Sequence, residues 1–144
     1  MLNMEQIKSI EEMRNAKMAY FKAEAENDTE GMELARQKVL ELRKNGFQTT
    51  RGEWLAINAY TRNGRAEDDM IVVNDFGFDY DADDLLAVFE QLGVTEFLTT
   101  DSSTALMGWL FNAMTRGWQV VGSAIIPAKN EFEDDKKALR IKRA

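Results

Sequence analysis

The chain has 144 residues, no Cys, no His, one Pro and a formal charge of −7. That length suits one folding unit able to bury its own core. The missing thiols and imidazoles exclude cysteine nucleophiles, disulfides, iron–sulfur clusters and the usual zinc, haem and Ser–His sites.

Residues 1–65 read as a helical hairpin followed by a short third helix. Ile7, Ile10, Met13, Ala16, Tyr20 and Ala23 recur at three- and four-residue steps, one face of a helix. Asn27 with Glu30 has the form of a capping box and starts a second helix with Met32, Ala35, Val39 and Leu42 inward. Gly46-Phe47 is expected to close it through a left-handed glycine. Thr50 with Glu53 is a second capping box, opening a helix through Trp54, Leu55, Ile57 and Tyr60. The polar run from Thr61 to Asp69 is the natural boundary between this helical part and the second half of the chain.

Residues 70–127 read as a β-α-β-α-β core. Strands are expected at Met70–Asn74, Thr95–Thr100 and Gln119–Ile126. Helices are expected from Asp81 to Leu92 and from Asp101 onward, the latter with Leu106, Trp109, Leu110, Ala113 and Met114 inward. Gly93-Val94 and Gly117-Trp118 end the two helices. The alternation predicts an α/β fold: an N-terminal helical hairpin packed on a small three-stranded parallel sheet with right-handed crossovers. Residues 128–144 are a charged tail. With Glu131, Glu133, Asp134 and Asp135 ahead of Lys136, Lys137, Arg140, Lys142 and Arg143, the tail is expected to be an internally paired helix.

The layout of charge is uneven. Residues 1–65 are nearly neutral, residues 66–135 hold 15 acidic against 2 basic side chains, and the last nine residues are basic. An acidic centre repels a phosphate backbone, so no nucleic-acid partner is expected. A protein partner with a basic surface fits better, met by Asp79, Asp81, Asp83, Asp84 and Glu90. Self-association is expected through the N-terminal helices.

Asp79, Asp81, Asp83 and Glu90 fall at the spacing of EF-hand ligands, but Asp84 stands where that loop needs Gly. A capped helix start explains the acids better, and no metal or cofactor is expected. In parallel sheets, ligands bind beyond the carboxyl ends of strands. Asp75, Asp101, Ser102, Ser103 and Thr104 would lie there, as a carboxylate and hydroxyl site. Helix capping is the competing role for the same residues. Phe76, Phe78 and Tyr80 alternate after the first strand and are expected to pack inward, as are Trp54, Trp109 and Trp118. Arg51, Arg62 and Arg65 with Trp54 and Tyr60 have the composition of a single-strand binder, but Glu53, Glu67, Asp68 and Asp69 interleave with them.

The segments Asn74-Asp-Phe-Gly-Phe-Asp79, Glu96-Phe97, Asp101-Ser-Ser-Thr-Ala-Leu-Met107 and Gly117-Trp118 resemble uncharacterised small proteins of bacterial mobile genetic elements. The resemblance covers about half the chain and implies an accessory or regulatory role without a defined chemistry.

The leading expectation is therefore a non-catalytic accessory protein. It would act through its acidic face, in one version by occupying the basic groove of a nucleic-acid-binding target. The alternative is a small enzyme or ligand-binding domain using Asp75, Asp101 and the Ser102–Thr104 hydroxyls. The start of the chain has no basic-then-apolar leader and no apolar run nears the ~18 residues of a span, so a cytoplasmic setting is expected, with no membrane partner.

Overall fold

The computed structural model describes residues 1–62, 70–128 and 130–144, without the side chain of Arg62. Arg65, Glu67, Asp68, Asp69 and most of the expected 61–69 boundary lie outside the described residues.

Helix α1 (Met4–Ala25) opens on a capping box: the Gln6 N–H donates to Asn3 Oδ1 and the Asn3 N–H to Gln6 Oε1, both at 2.9 Å. α1 runs through Ala25, so the cap of α2 (Thr29–Arg43) is Asp28 rather than Asn27. Asp28 Oδ1 accepts the Gly31 N–H at 3.0 Å. Asn27 takes the left-handed turn at φ 56°, a conformation Asn tolerates. The expected Gly46 closure is not formed. α2 ends at Lys44 in right-handed geometry, its N–H and that of Asn45 donating to the Glu41 and Leu42 carbonyls, and Gly46 has no positive φ.

Helix α3 (Arg51–Arg62) starts as its sequence predicts. The Thr50 N–H donates to Glu53 Oε1 at 2.9 Å, and the Glu53 N–H to Thr50 Oγ1 at 3.2 Å. Gly52 stands in this first turn because α4 (Asp79–Gln91) crosses there. A Cβ on Gly52 would sit 2.2 Å from the Asp81 carbonyl oxygen.

The remaining elements are β1 (Val72–Val73), β2 (Glu96–Thr99), α5 (Leu106–Thr115), β3 (Trp118–Ile126) and β4 (Lys136–Arg143). Gly93 and Gly117 hold φ of 75° and 86° and end α4 and α5. At the first, the Val94 N–H reaches back to the Phe89 carbonyl at 2.9 Å, a Schellman closure that buries Val94.

The sheet is four-stranded and mixed, in the order β1-β2-β4-β3. This corrects the expected three-stranded parallel sheet. β1 and β2 pair in parallel, and β4 pairs antiparallel with both β2 and β3. β1, β2 and β3 thus run the same way, but the tail, expected as a helix, inserts between the last two. Its residues alternate: Ile141 sits beside Phe97 and Val120 on the core side, while Arg140 faces the other way opposite Leu98. Arg140 then pairs with Glu96 at 2.7 Å. A strand flanked on both sides gains two ladders of hydrogen bonds and buries Ile141. An isolated, highly charged helix offers neither. The acidic residues before it form the hairpin loop, closed by Ala128 N–H to Asp135 Oδ1 at 2.8 Å.

Both crossovers step the same way across the sheet, so right-handedness puts α4 and α5 on one face. Between them and the sheet lie Phe76, Phe89, Phe97, Trp109 and Trp118, all fully buried. The Phe76 and Trp109 rings stack, and Phe97 contacts Phe76, Phe89 and Trp118. Leu2, Ile7 and Ile10 of the N-terminal segment join the same core, and the Leu2 carbonyl accepts from Gln91 Nε2 at 2.9 Å. Phe78, Tyr80 and Trp54, which the sequence places inside, are exposed instead.

Candidate functional site

The start of α4 is assembled by Asp81. Its Oδ2 accepts the Phe78 N–H at 2.9 Å and lies 3.7 Å from Arg51 Nε. The carboxylate is buried, so Asp81 leaves the solvent-facing acidic set and serves instead to hold α3 against α4. Arg51 also stands over the Phe78 ring, 5.3 Å from its centroid, and Phe78 stacks on Tyr80 at 5.4 Å.

Asp79, first residue of α4, leans over α5. A Cβ on Gly108 would lie 2.2 Å from Asp79 Oδ2, and Asn112 Nδ2 donates to the Asp79 carbonyl at 3.1 Å. Beside this contact, α5 turns outward a stripe of Met107, Phe111 and Met114, exposed by 77%, 68% and 66%. Met114, expected inward, thus belongs to the outer face. Trp109 and Ala113 fill the buried side, and the outer side keeps large apolar groups with nothing over them among the described residues. Asp79, Asp83 one turn on, and Asp84 remain exposed on α4.

Glu90 differs from those acids. Its carboxylate takes Arg116 at 2.7 Å and accepts the Trp118 indole N–H at 3.1 Å. Partial burial pushes its pKa up, but those hydrogen bonds and the charges of Arg116 and Arg143 outweigh it, and the carboxyl is held below the usual glutamate range. Glu90 thus bolts α4 to the α5–β3 junction.

At the carboxyl ends of β1 and β2, Asp75 and Asp101 are both used by the backbone. Asp101 Oδ2 accepts the Phe76 N–H at 3.1 Å and its Oδ1 the Ser103 N–H at 2.8 Å; Asp75 Oδ1 accepts the Gly77 N–H at 2.7 Å. Thr99 Oγ1 donates to the Val73 carbonyl and accepts the Asp101 N–H. Two loops are stitched together this way. Ser102, Ser103 and Thr104 are exposed beside them, and α5 begins only after Ala105, without a side-chain cap. The expected capping of α5 by Asp101–Ser103 is therefore replaced by a loop–loop tie.

An open cleft of about 880 Å³ lies between α1, α2, α3 and the end of β1. Lys17, Arg36 and Arg43 line it with Tyr20, Trp54, Asn74 and Asp75; Asp101, Ser102, Ser103 and Thr104 do not reach it. Its cations sit on helices whose pattern reads only as a packing hairpin, so nothing in local sequence marks them as neighbours. The α5 stripe has a signal. The helix carries Leu106, Met107, Trp109, Leu110, Phe111, Ala113 and Met114, more apolar groups than one buried face can hold.

No cluster of three acidic side chains among the described residues is arranged to hold a metal ion, and no helix there is long and apolar enough to cross a membrane. Residues 55–142, more than half the chain, match the family model described as "Domain of unknown function (DUF7698)". The chain belongs to that family. No curated protein and no solved structure matches it. The family's span takes in most of α3 and runs into β4, so it includes the α4–α5 surface and leaves α1 and α2 outside.

Proposed function

We propose that this protein is a non-catalytic binding module whose α4–α5 surface takes a basic amphipathic helix of a partner protein. The observation that carries the reading is the exposed Met107–Phe111–Met114 stripe beside the carboxylates of Asp79 and Asp83. Methionine and phenylalanine adapt to the shape of an apolar helix face, and the carboxylates select lysine and arginine around it. Large apolar side chains grouped on a surface mark interaction sites more often than scattered ones do. The basic protein partner expected from the sequence is narrowed to Asp79 and Asp83 with the α5 stripe, since Asp84 stands against Gly52 on the α3 side of α4. Asp81 and Glu90 act as internal ties. An accessory role in the bacterial cytoplasm, on a mobile element and against a nucleic-acid-binding target, is the setting this reading fits.

The test is a titration of the full chain with a synthetic Leu/Lys helix carrying leucine at three- and four-residue steps, followed by amide chemical shifts. Saturable shifts over α5 and the first turn of α4 are expected, lost in Phe111→Ser and weakened by salt. Equal binding by Phe111→Ser, or by a peptide of the same composition in scrambled order, removes the proposal.

The cleft favours a second reading, a ligand-binding role. Its volume is that of a small-molecule site, roughly 300–1,000 Å³, and its cations and aromatic rings suit an anionic aromatic ligand. This reading replaces the Asp101 and Ser102–Thr104 site with Lys17, Arg36 and Arg43. A nucleoside diphosphate should raise the melting temperature of the wild type and not of Arg43→Ala; a flat wild-type titration disposes of it.

A further inference from the structure

β3 is an edge of the sheet, nine residues long, against two residues for β1 at the other edge. Natural edges this long carry lysines, prolines or inward charges that keep other strands away. From Gly117 to Ala128 this chain has no charged side chain at all, in a protein of charge −7. Pro127 comes only after the strand ends, and the single bulge lies at Val121, between Val120 and Gly122. That leaves Gly122–Ile126 as a regular run, its outer backbone edge unpaired among the described residues and Ile125 exposed by 66%.

We infer that β3 pairs antiparallel with the β3 of a second copy of this chain about a two-fold axis near Ala124, joining two four-stranded sheets into one. An antiparallel pairing centred there sets Ser123 of one copy opposite Ile125 of the other. It also brings the two Ile125 side chains together diagonally, within reach of each other. Gly122, Ser123 and Ala124 are small and uncharged, so the backbones meet without obstruction.

Charge sets the direction. β3 begins beside the end of β4, where Trp118 pairs with Arg143 and Gln119 with Lys142. It ends at the loop holding Glu131, Glu133, Asp134 and Asp135, which outnumber Lys136 and Lys137 opposite Ile126 and Ile125. Antiparallel pairing places the acidic loop of each copy level with the basic strand end of the other. The separation is on the order of one Debye length, ~8–10 Å at physiological salt. Parallel pairing would instead put loop beside loop. The interface uses a different part of the molecule from the α4–α5 surface and does not depend on it.

The experiment is sedimentation of the full chain, with hydrogen exchange on the same samples. The wild type is expected to sediment as a dimer and to protect the outward amides of Gly122–Ile126. Ile125→Lys, at an exposed position, is expected to be monomeric, to unfold cooperatively at a melting temperature that no longer depends on protein concentration, and to lose that protection. Glu131→Lys with Glu133→Lys is expected to weaken the dimer, and adding Lys142→Glu to restore part of it. A wild type that stays monomeric overturns the inference. So does a dimer that survives Ile125→Lys with its protection on α1 and α2.

Discussion

Glu90 and Gly52 show how single residues set the packing of α4. Glu90 holds Arg116 and the Trp118 indole at once. Because its pKa is lowered on folding, the stability it adds is present above the ordinary glutamate range and is lost as pH falls through the depressed folded value. Glu90→Gln keeps an acceptor for the indole and gives up the charge, and should cost about 1–2 kcal/mol near neutral pH. Melting curves of the two proteins should converge as the pH is taken down through the carboxylate range; a constant gap would show that the charge contributes nothing. Gly52 makes the opposite point. Replacing an exposed helical Gly by Ala gains about 1 kcal/mol, yet here a Cβ would strike the Asp81 carbonyl at 2.2 Å. Overpacking costs about 1–3 kcal/mol, so Gly52→Ala should be destabilising in urea denaturation. A neutral or stabilised variant would mean that α3 and α4 slide apart freely.

Local rules succeed where both partners of an interaction lie within a few residues. The Thr50–Glu53 capping box, the Gly93 and Gly117 helix stops and the buried faces of α4 are of this kind. The same rules fail at the tail. Acids before bases suit a helix dipole, but the segment forms β4, because β2 and β3 each present it with an unsatisfied edge. Removal of residues 136–144 separates these views. A charged tail helix could be lost at little cost, whereas loss of β4 leaves β2 and β3 as two unconnected edges and exposes the partners of Ile141. Truncation should abolish cooperative unfolding by circular dichroism; a truncated chain with a sharp transition would contradict the sheet order.

At the scale of the whole molecule, the acidic side chains of the described residues between 70 and 135 are spread over α4, the start of β2, the strand-end loops and the β3–β4 loop. Three of them, Asp81, Glu90 and Glu96, are paired with Arg51, Arg116 and Arg140. The exposed acids among the described residues repel one another through solvent. Raising the ionic strength shortens the Debye length from about 30 Å at 0.01 M to about 8 Å at 0.15 M, and should raise the melting temperature by a few degrees. The same salt should weaken the binding of a basic peptide. A melting temperature that falls with salt would show that attraction between unlike charges dominates the surface.

Composition and local pattern are enough to set the order of helices and strands up to β3, the α/β class, the burial of Phe76, Trp109 and Trp118, and the absence of thiol and imidazole chemistry. Each of these follows from residue counts or from contacts within one turn or one strand. The closed fold is needed to bring the tail into the sheet, to make Asp101 tie two loops instead of capping a helix, to turn Phe78, Tyr80 and Met114 to solvent, and to gather Lys17, Arg36 and Arg43 around one cleft. Those outcomes depend on which surfaces remain uncovered after the core has closed, and that is a sum over the whole fold that no local pattern contains.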